Sequence, residues 1–296
     1  MRVSLRGKEA IGLPFHGRSF GPDPAGAARV MKPVKRILFP VDFSEHCERV
    51  AREIFALARS LGAEVVALHA LDLPPGSNSE WLSYVEALNP EKLRVLAEQR
   101  LERFVGEESR GAVVKRMIAV GHPAAEIMSC VAREKIGLIA MPTRGLGPFA
   151  SYMFGSVAER VLHQAQCPVW TEGRRTEAVT RYEDILCAVD LSSGTEAVVR
   201  WATQFATAYR ARLHLVHVGE GEQPLELLRQ MASMEGVEAE CRILTGEVSR
   251  KVLDAVEQHG CELLVIGRGA ERKFLGRFRG QAQTLIRNSP CAVVSV

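Results

Sequence analysis

An internal repeat constrains this chain more than any other feature. Val41-Asp42-Phe43-Ser44 recurs as Val189-Asp190-Leu191-Ser192, and Leu68-His69-Ala70 recurs as Val216-His217-Val218, each 148 residues further on. Later in the copies the offset becomes 125, with Gly121 matching Gly246, Ile127 matching Val252 and Gly155 matching Gly280. The second copy is therefore 23 residues shorter, and the missing part falls between residues 71 and 108. A period this long far exceeds the roughly 20–50 residues of solenoid repeats, so it predicts two domains side by side. The expected layout is a disordered tail over 1–33, a domain over 34–172, a polar linker over 173–180 and a second domain over 181–296.

Within copy one, short apolar runs alternate with amphipathic segments. Arg36 to Val41 reads as a strand, and Ser44 stands where a helix N-cap belongs. Val50, Ile54, Leu57 and Leu61 then fall on one helical face. Val65 to Ala70 is a second strand, and Asn89-Pro90 opens a helix whose buried face carries Leu93, Ala97, Leu101 and Phe104. Val113–Val120, Leu138–Met141 and Pro168–Thr171 read as further strands, separated by helices over Pro123–Glu134 and Ser156–Ala165. Strand–helix alternation of this kind predicts an α/β fold with a doubly wound, parallel sheet in each copy.

Charge and composition exclude several function classes. The excess of three positive charges lies wholly in Met1–Met31, where Arg2, Arg6, Lys8, Arg18 and Arg29 face only Glu9 and Asp23. The folded part is thus formally neutral, which argues against a broad nucleic-acid-binding face. That first segment is rich in Gly and Pro and lacks a secretory apolar core, and Met31 is an alternative start for translation. No apolar stretch approaches the roughly 18–20 residues of a membrane span. The seven cysteines form no CxxC pair, so neither a disulfide framework nor a zinc cluster is indicated, and a reducing cytoplasm is the expected compartment. His46, His122 and His163 show no HExxH-like spacing, and His69 and His217 recur in apolar strands as structural residues, so no metal site is expected.

In an open parallel sheet the ligand crevice lies beyond the carboxyl ends of the strands. In copy one, Pro40, Val41 and Asp42 leave the first strand there, Ala70 leaves the second, and Met141 leads out of the fourth into Pro142-Thr143-Arg144-Gly145. A loop follows that ends at Gly155, Ser156 and Val157, the start of a helix. Glycine lets backbone approach an anion closely, and the first turn of a helix offers free amides and a favourable dipole. This is the candidate phosphate site. Asp42 also fits the simpler role of turning the chain into the following helix.

On these residues the chain resembles tandem universal stress proteins from Lys35 to Val296. Nucleotide-binding members of that family carry a glycine, two residues, a second glycine, nine residues and then Gly-Ser or Gly-Thr, with an aspartate after the first strand. Gly145, the nine-residue gap, Gly155 and Ser156 match, and Asp42 stands at the aspartate position, while Pro142 replaces the first glycine and so removes one amide donor. In copy two Gly267 restores that glycine, but Ala270 and Gln281 replace the second glycine and the serine, and copy two is expected to be empty. The resemblance implies two Rossmann-like domains of the adenine nucleotide alpha hydrolase type. It further implies a non-enzymatic, stress-responsive module that holds ATP or another adenine nucleotide in copy one, with Mg only through the nucleotide.

Family dimers pair through their last strands, so the resemblance also implies that Pro168–Thr171 and Ala292–Val296 join the two copies as an intramolecular pseudo-dimer. A homodimer and an unidentified protein partner are further expected partners. A rival reading is an interaction protein in which neither copy holds nucleotide, for which Pro142 speaks. An ATP-using ligase or pyrophosphatase is the enzymatic alternative, but the turn after the first strand lacks the SGGxDS-like glycines of such enzymes. Two features stand outside this scheme. Arg268, Arg272, Lys273, Arg277 and Arg279 form a basic run, read as a solvated loop or a contact for an acidic partner. Trp81 and Tyr84 read as a lid over a bound base or as packing against the neighbouring domain.

Overall fold

The structure, a computed structural model, describes residues 34–72, 90–143, 154–175, 177–268 and 277–296. Copy one runs β1 (Arg36–Pro40), α1 (Glu45–Leu61), β2 (Glu64–Leu71), α2 (Pro90–Val105), β3 (Val114–Val120), α3 (Pro123–Glu134), β4 (Leu138–Met141), α4 (Ser156–Gln164) and β5 (Val169–Thr171). Copy two repeats it as β6 (Asp184–Val189), α5 (Thr195–Tyr209), β7 (Arg212–Val218), α6 (Gln223–Met234), β8 (Ala239–Leu244), α7 (Val248–Gln258), β9 (Leu263–Ile266), α8 (Arg277–Asn288) and β10 (Ala292–Ser295).

The strands form one sheet in the order β3-β2-β1-β4-β5-β10-β9-β6-β7-β8. Every pairing within a copy is parallel, while β5 and β10 pair antiparallel, with Trp170 opposite Val294. Alternate residues of each strand feed two layers. Leu38, Val66, Leu68 and Ile139 pack under α3 and α4 with Ile127, Cys130 and Val161. On the other face Phe39 meets Phe55 of α1 and Phe104 of α2 at ring distances of 6.3 and 6.1 Å. Helices on both faces of a parallel sheet make each copy a doubly wound, Rossmann-like unit.

Local chemistry explains the element ends. Ser44 accepts the Cys47 amide as N-cap of α1, and Gly62, at φ 62°, closes the same helix with its amide on Ala58 and Arg59 carbonyls. All seven cysteines are free, and six are buried, as their apolar runs require.

The link between the copies is pinned rather than loose. The Arg174 and Arg175 amides donate to the Ser289 and Pro290 carbonyls at 2.9 and 3.0 Å. A side chain at Gly173 would stand 2.3 Å from the Cys291 backbone, so glycine alone fits that crossing. Trp170 and Tyr182, both fully buried, share a 3.1 Å hydrogen bond across the junction, and Tyr182 packs edge-on against Phe205 and Tyr209. Arg268 corrects one expectation. Its guanidinium donates to the Ala165 and Cys167 carbonyls of copy one at 2.9 and 2.7 Å, so it belongs to the junction and not to a solvated basic run. The physical reason is that Arg268 stands two residues past the end of β9 with its amide held by the Val296 carbonyl, within reach of copy one. Arg272 and Lys273 lie outside the described residues.

Candidate functional site

Parallel register brings the candidate residues of copy one to one end of the sheet. Pro40 lies beside Leu68 and Leu38 beside Ile139, so the chain leaving β1 at Val41-Asp42 emerges next to Ala70 on β2 and Met141 on β4. Val41 stays tied to β2 through its amide on the Leu68 carbonyl at 2.8 Å. Asp42 then turns the chain: its Oδ1 accepts the Ser44 amide at 2.9 Å, and Phe43 takes a left-handed φ of 60°. Asp190 repeats this bond to Ser192 at 3.0 Å and adds the Thr195 hydroxyl at 3.3 Å. One carboxylate oxygen of Asp42 therefore serves the turn, and a ligand would meet the other.

The far side of the crevice is closed by a neck. The Gly155 amide donates to the Thr143 carbonyl at 2.9 Å, so the start of α4 is tied to the end of β4. Gly155 is the extended N-cap of α4, with φ −62° and ψ 142° and no capping side chain. Glu159 makes the first helical bond to Gly155, which leaves the Ser156, Val157 and Ala158 amides without an intrahelical acceptor. Pro142, buried beside Met141 and Thr143, contributes no amide. Gly145 lies outside the described residues, as do Trp81 and Tyr84.

His69 borders this end of the sheet. Its Nδ1 is 2.8 Å from the Val41 carbonyl, an acceptor only, so Nδ1 carries the proton. Burial chiefly, and the positive charge of Arg100, hold its pKa below the ordinary histidine range. His217 makes the same bond to Val189 at 2.9 Å. Both rings hold the strand ends in place. Sequence reasoning missed Phe43 and Arg100: the Phe43 ring lies 4.4 Å from His69, and the Arg100 guanidinium sits 4.3 Å above it, placing a cation beside the crevice. Phe43 and the matched Leu191 are both left-handed, but no spacing along the sequence relates Phe43 to His69 or Arg100.

Copy two also has a cavity at its strand ends, lined by Val189, Asp190, Val218, Gly267, Gln281 and Leu285 among others. Its walls are mostly aliphatic. The chain segment that leaves the copy-one loop is itself seated on copy two: Phe154 packs against the core of copy two formed around Leu264, Leu285 and Ile286, with the Arg287 guanidinium 5.5 Å from its ring.

Comparison with known proteins agrees with this architecture. The model of the universal stress protein family matches residues 33–171, 181–235 and 219–296. A curated universal stress protein of Thermus aquaticus is 35% identical over 138 residues, covering 46% of this chain and 96% of the relative. The universal stress protein MJ0577 of Methanocaldococcus jannaschii is 30% identical over 155 residues, covering 48% of this chain and 96% of its own. A solved universal stress protein from Archaeoglobus fulgidus shares the fold across both copies, with a TM-score of 0.71 and 24% identity over 88% of this chain and 98% of that one. Among the described residues no helix is long and apolar enough to cross a membrane. With both halves matched and joined in one sheet, the chain belongs to the universal stress protein family, as a tandem of two such domains.

Proposed function

We propose that copy one holds an adenine nucleotide in the crevice between β1 and β4, and that copy two serves as its structural and recognition partner. The observation that carries this reading is the neck between Thr143 and Gly155, which ties the end of β4 to the first turn of α4, whose amides have no intrahelical acceptor. The base would lie against Val41, Asp42, Ala70 and Met141, and the phosphates would meet Ser156 and Val157. Any Mg would come with the phosphates. A bound nucleotide would bias the loop that ends in Phe154, and Phe154 is packed on copy two, so the second domain is in a position to register the change. The cytoplasm is the compartment that fits this role.

Equilibrium binding of labelled ATP to the full chain tests it. Saturable binding is expected, lost in Gly155→Asp, which places a negative charge at the helix start, and retained in Gly280→Asp at the matched position of copy two. Absence of saturable binding would leave the second reading, an interaction protein without nucleotide. One observation favours that reading: Pro142 has no amide to give.

A further inference from the structure

The opposite end of copy two carries a cluster that the crevice does not use. Asp184 opens β6, His214 lies near the start of β7, Glu240 near the start of β8, and His259 ends α7. Strand register sets Glu240 directly beside His214. The His214 Nδ1 is 3.0 Å from a Glu240 oxygen, and its Nε2 is 2.9 Å from Asp184. The His259 ring lies 4.3 Å from that of His214. One donor atom each from His214, Glu240 and His259 lie within 4.8 Å of one another.

We propose that His214, Glu240 and His259 bind a divalent, zinc-class metal ion at the amino end of the copy-two sheet, with Asp184 orienting His214. Three considerations carry this. The first is the donor set: two imidazoles and a carboxylate suit zinc and its neighbours better than calcium or magnesium. A tetrahedral ion with bonds of about 2.0–2.1 Å holds its ligand atoms roughly 3.3 Å apart, so the His214 and Glu240 atoms, at 3.0 Å, would open slightly and His259, within 4.8 Å, would draw in. The second is orientation. Asp184 can only accept from His214 Nε2, which leaves the Nδ1 lone pair aimed at Glu240, and a carboxylate behind a ligating imidazole is the usual support of a metal-bound histidine. An oxygen and a lone pair facing each other at 3.0 Å need a cation between them. An imidazolium proton is the competing cation, and the His259 ring, tilted by 34° at 4.3 Å, offers the metal a further ligand.

The third consideration is the matched end of copy one. Asp184, Arg212, His214, Glu240 and His259 correspond there to Arg36, Glu64, Val66, Lys115 and Glu134. Its charged members form ion pairs: Arg36–Glu64 and Lys115–Glu134 at 2.7 Å, with Arg36 and Glu134 at 3.9 Å. The fold therefore closes this end with ion pairs and an apolar Val66. Copy two instead buries His214, 7% exposed, at the valine position, and puts a carboxylate where copy one has a lysine. Burying a polar ring at an apolar position is unfavourable unless its atoms are used. Arg212 faces Asp184 and Arg242 holds the other Glu240 oxygen, which leaves one Glu240 oxygen for the metal.

The test is a zinc titration of the EDTA-stripped full chain against a chromophoric chelator, followed by cobalt spectroscopy. One equivalent of zinc is expected to bind, and the cobalt form should lack a thiolate charge-transfer band although Cys241 is the neighbour of Glu240. His214→Val, which copies the residue copy one already accommodates, and His259→Gln should each weaken zinc at least about tenfold, with Asp184→Asn weakening it by about 10–100-fold. Circular dichroism of these variants should match the parent. No zinc bound by the full chain, as an imidazolium at His214 would give, overturns the proposal. So does binding that is unchanged in both histidine variants, or a thiolate band that disappears in Cys241→Ser.

Discussion

Asp42 and Asp190 stand 148 residues apart and do the same thing, each accepting the amide two residues on. Ser44 and Ser192 are matched just as closely and do not. Ser44 is buried and caps α1, whereas Ser192 is exposed and α5 starts later, behind Gly194, with its first residue Thr195 held by Asp190. A repeated motif thus preserves the turn but not the helix start that follows it. The same divergence is larger at the amino ends of the strands, where one copy pairs ions and the other gathers imidazoles. It is largest at the junction, where Arg268 reaches across to copy one while its counterpart Thr143 bonds within its own copy.

The junction offers the strongest perturbation. Gly173→Val would drive a side chain into the Cys291 backbone, and a loss of about 4 kcal/mol or more is expected in denaturant unfolding. If Gly173→Val unfolds like the parent, the pinned linker is not what joins the copies.

Next in size is a pH effect that copy two cannot show, because Trp201 occupies the position matched to Glu53. Burial above all pushes the Glu53 carboxyl up from 4.5 to about 7; the Val179 amide opposes this, the Glu172 charge adds to it and Arg49 opposes it. The folded state binds this proton more tightly than the unfolded chain. Its contribution is therefore full below about pH 4.5 and is lost as pH rises through about 7, amounting to about 3 kcal/mol in the limit. Glu53→Gln should flatten the stability slope across that window, and an unaltered slope would remove Glu53 as its source.

Arg268→Ala should cost about 2 kcal/mol, since it leaves the Ala165 and Cys167 carbonyls without their charged donor. Thr143→Ala at the matched position of copy one should cost distinctly less, and equal losses would erase the asymmetry. The smallest expected difference separates the two serines. Ser44→Ala should lose about 1 kcal/mol as a cap, and Ser192→Ala should lie within about 0.5 kcal/mol of the parent by thermal unfolding.

Much of the frame was legible because it rests on local signals. Pro123 at the first helical position and the apolar spacing that follows it gave α3 its limits, and Ser44 marked the start of α1. The candidate crevice followed from strand ends alone, and register brings Asp42, Ala70 and Met141 to that one end. What escaped depends on contacts across long sequence distances. A basic run reads the same whether its first arginine faces water or a carbonyl of the other copy, so Arg268 was misplaced. His214, Glu240 and His259 sit on three separate elements, and no spacing along the chain relates them. Only alignment of the copies, with Val66 against His214 and Lys115 against Glu240, carries that signal.

The antiparallel pairing of β5 with β10 has a consequence for how such a molecule can change. Between two identical chains, every substitution at a two-fold contact is written twice, and an alteration that suits one side must also suit the other. A single polypeptide that contains both sides is released from that rule. Arg268 can reach across to Ala165 while Thr143, its counterpart, stays in place to meet Gly155. One half can then drift toward a new ligand while the other keeps an old one, and neither has to wait for its twin.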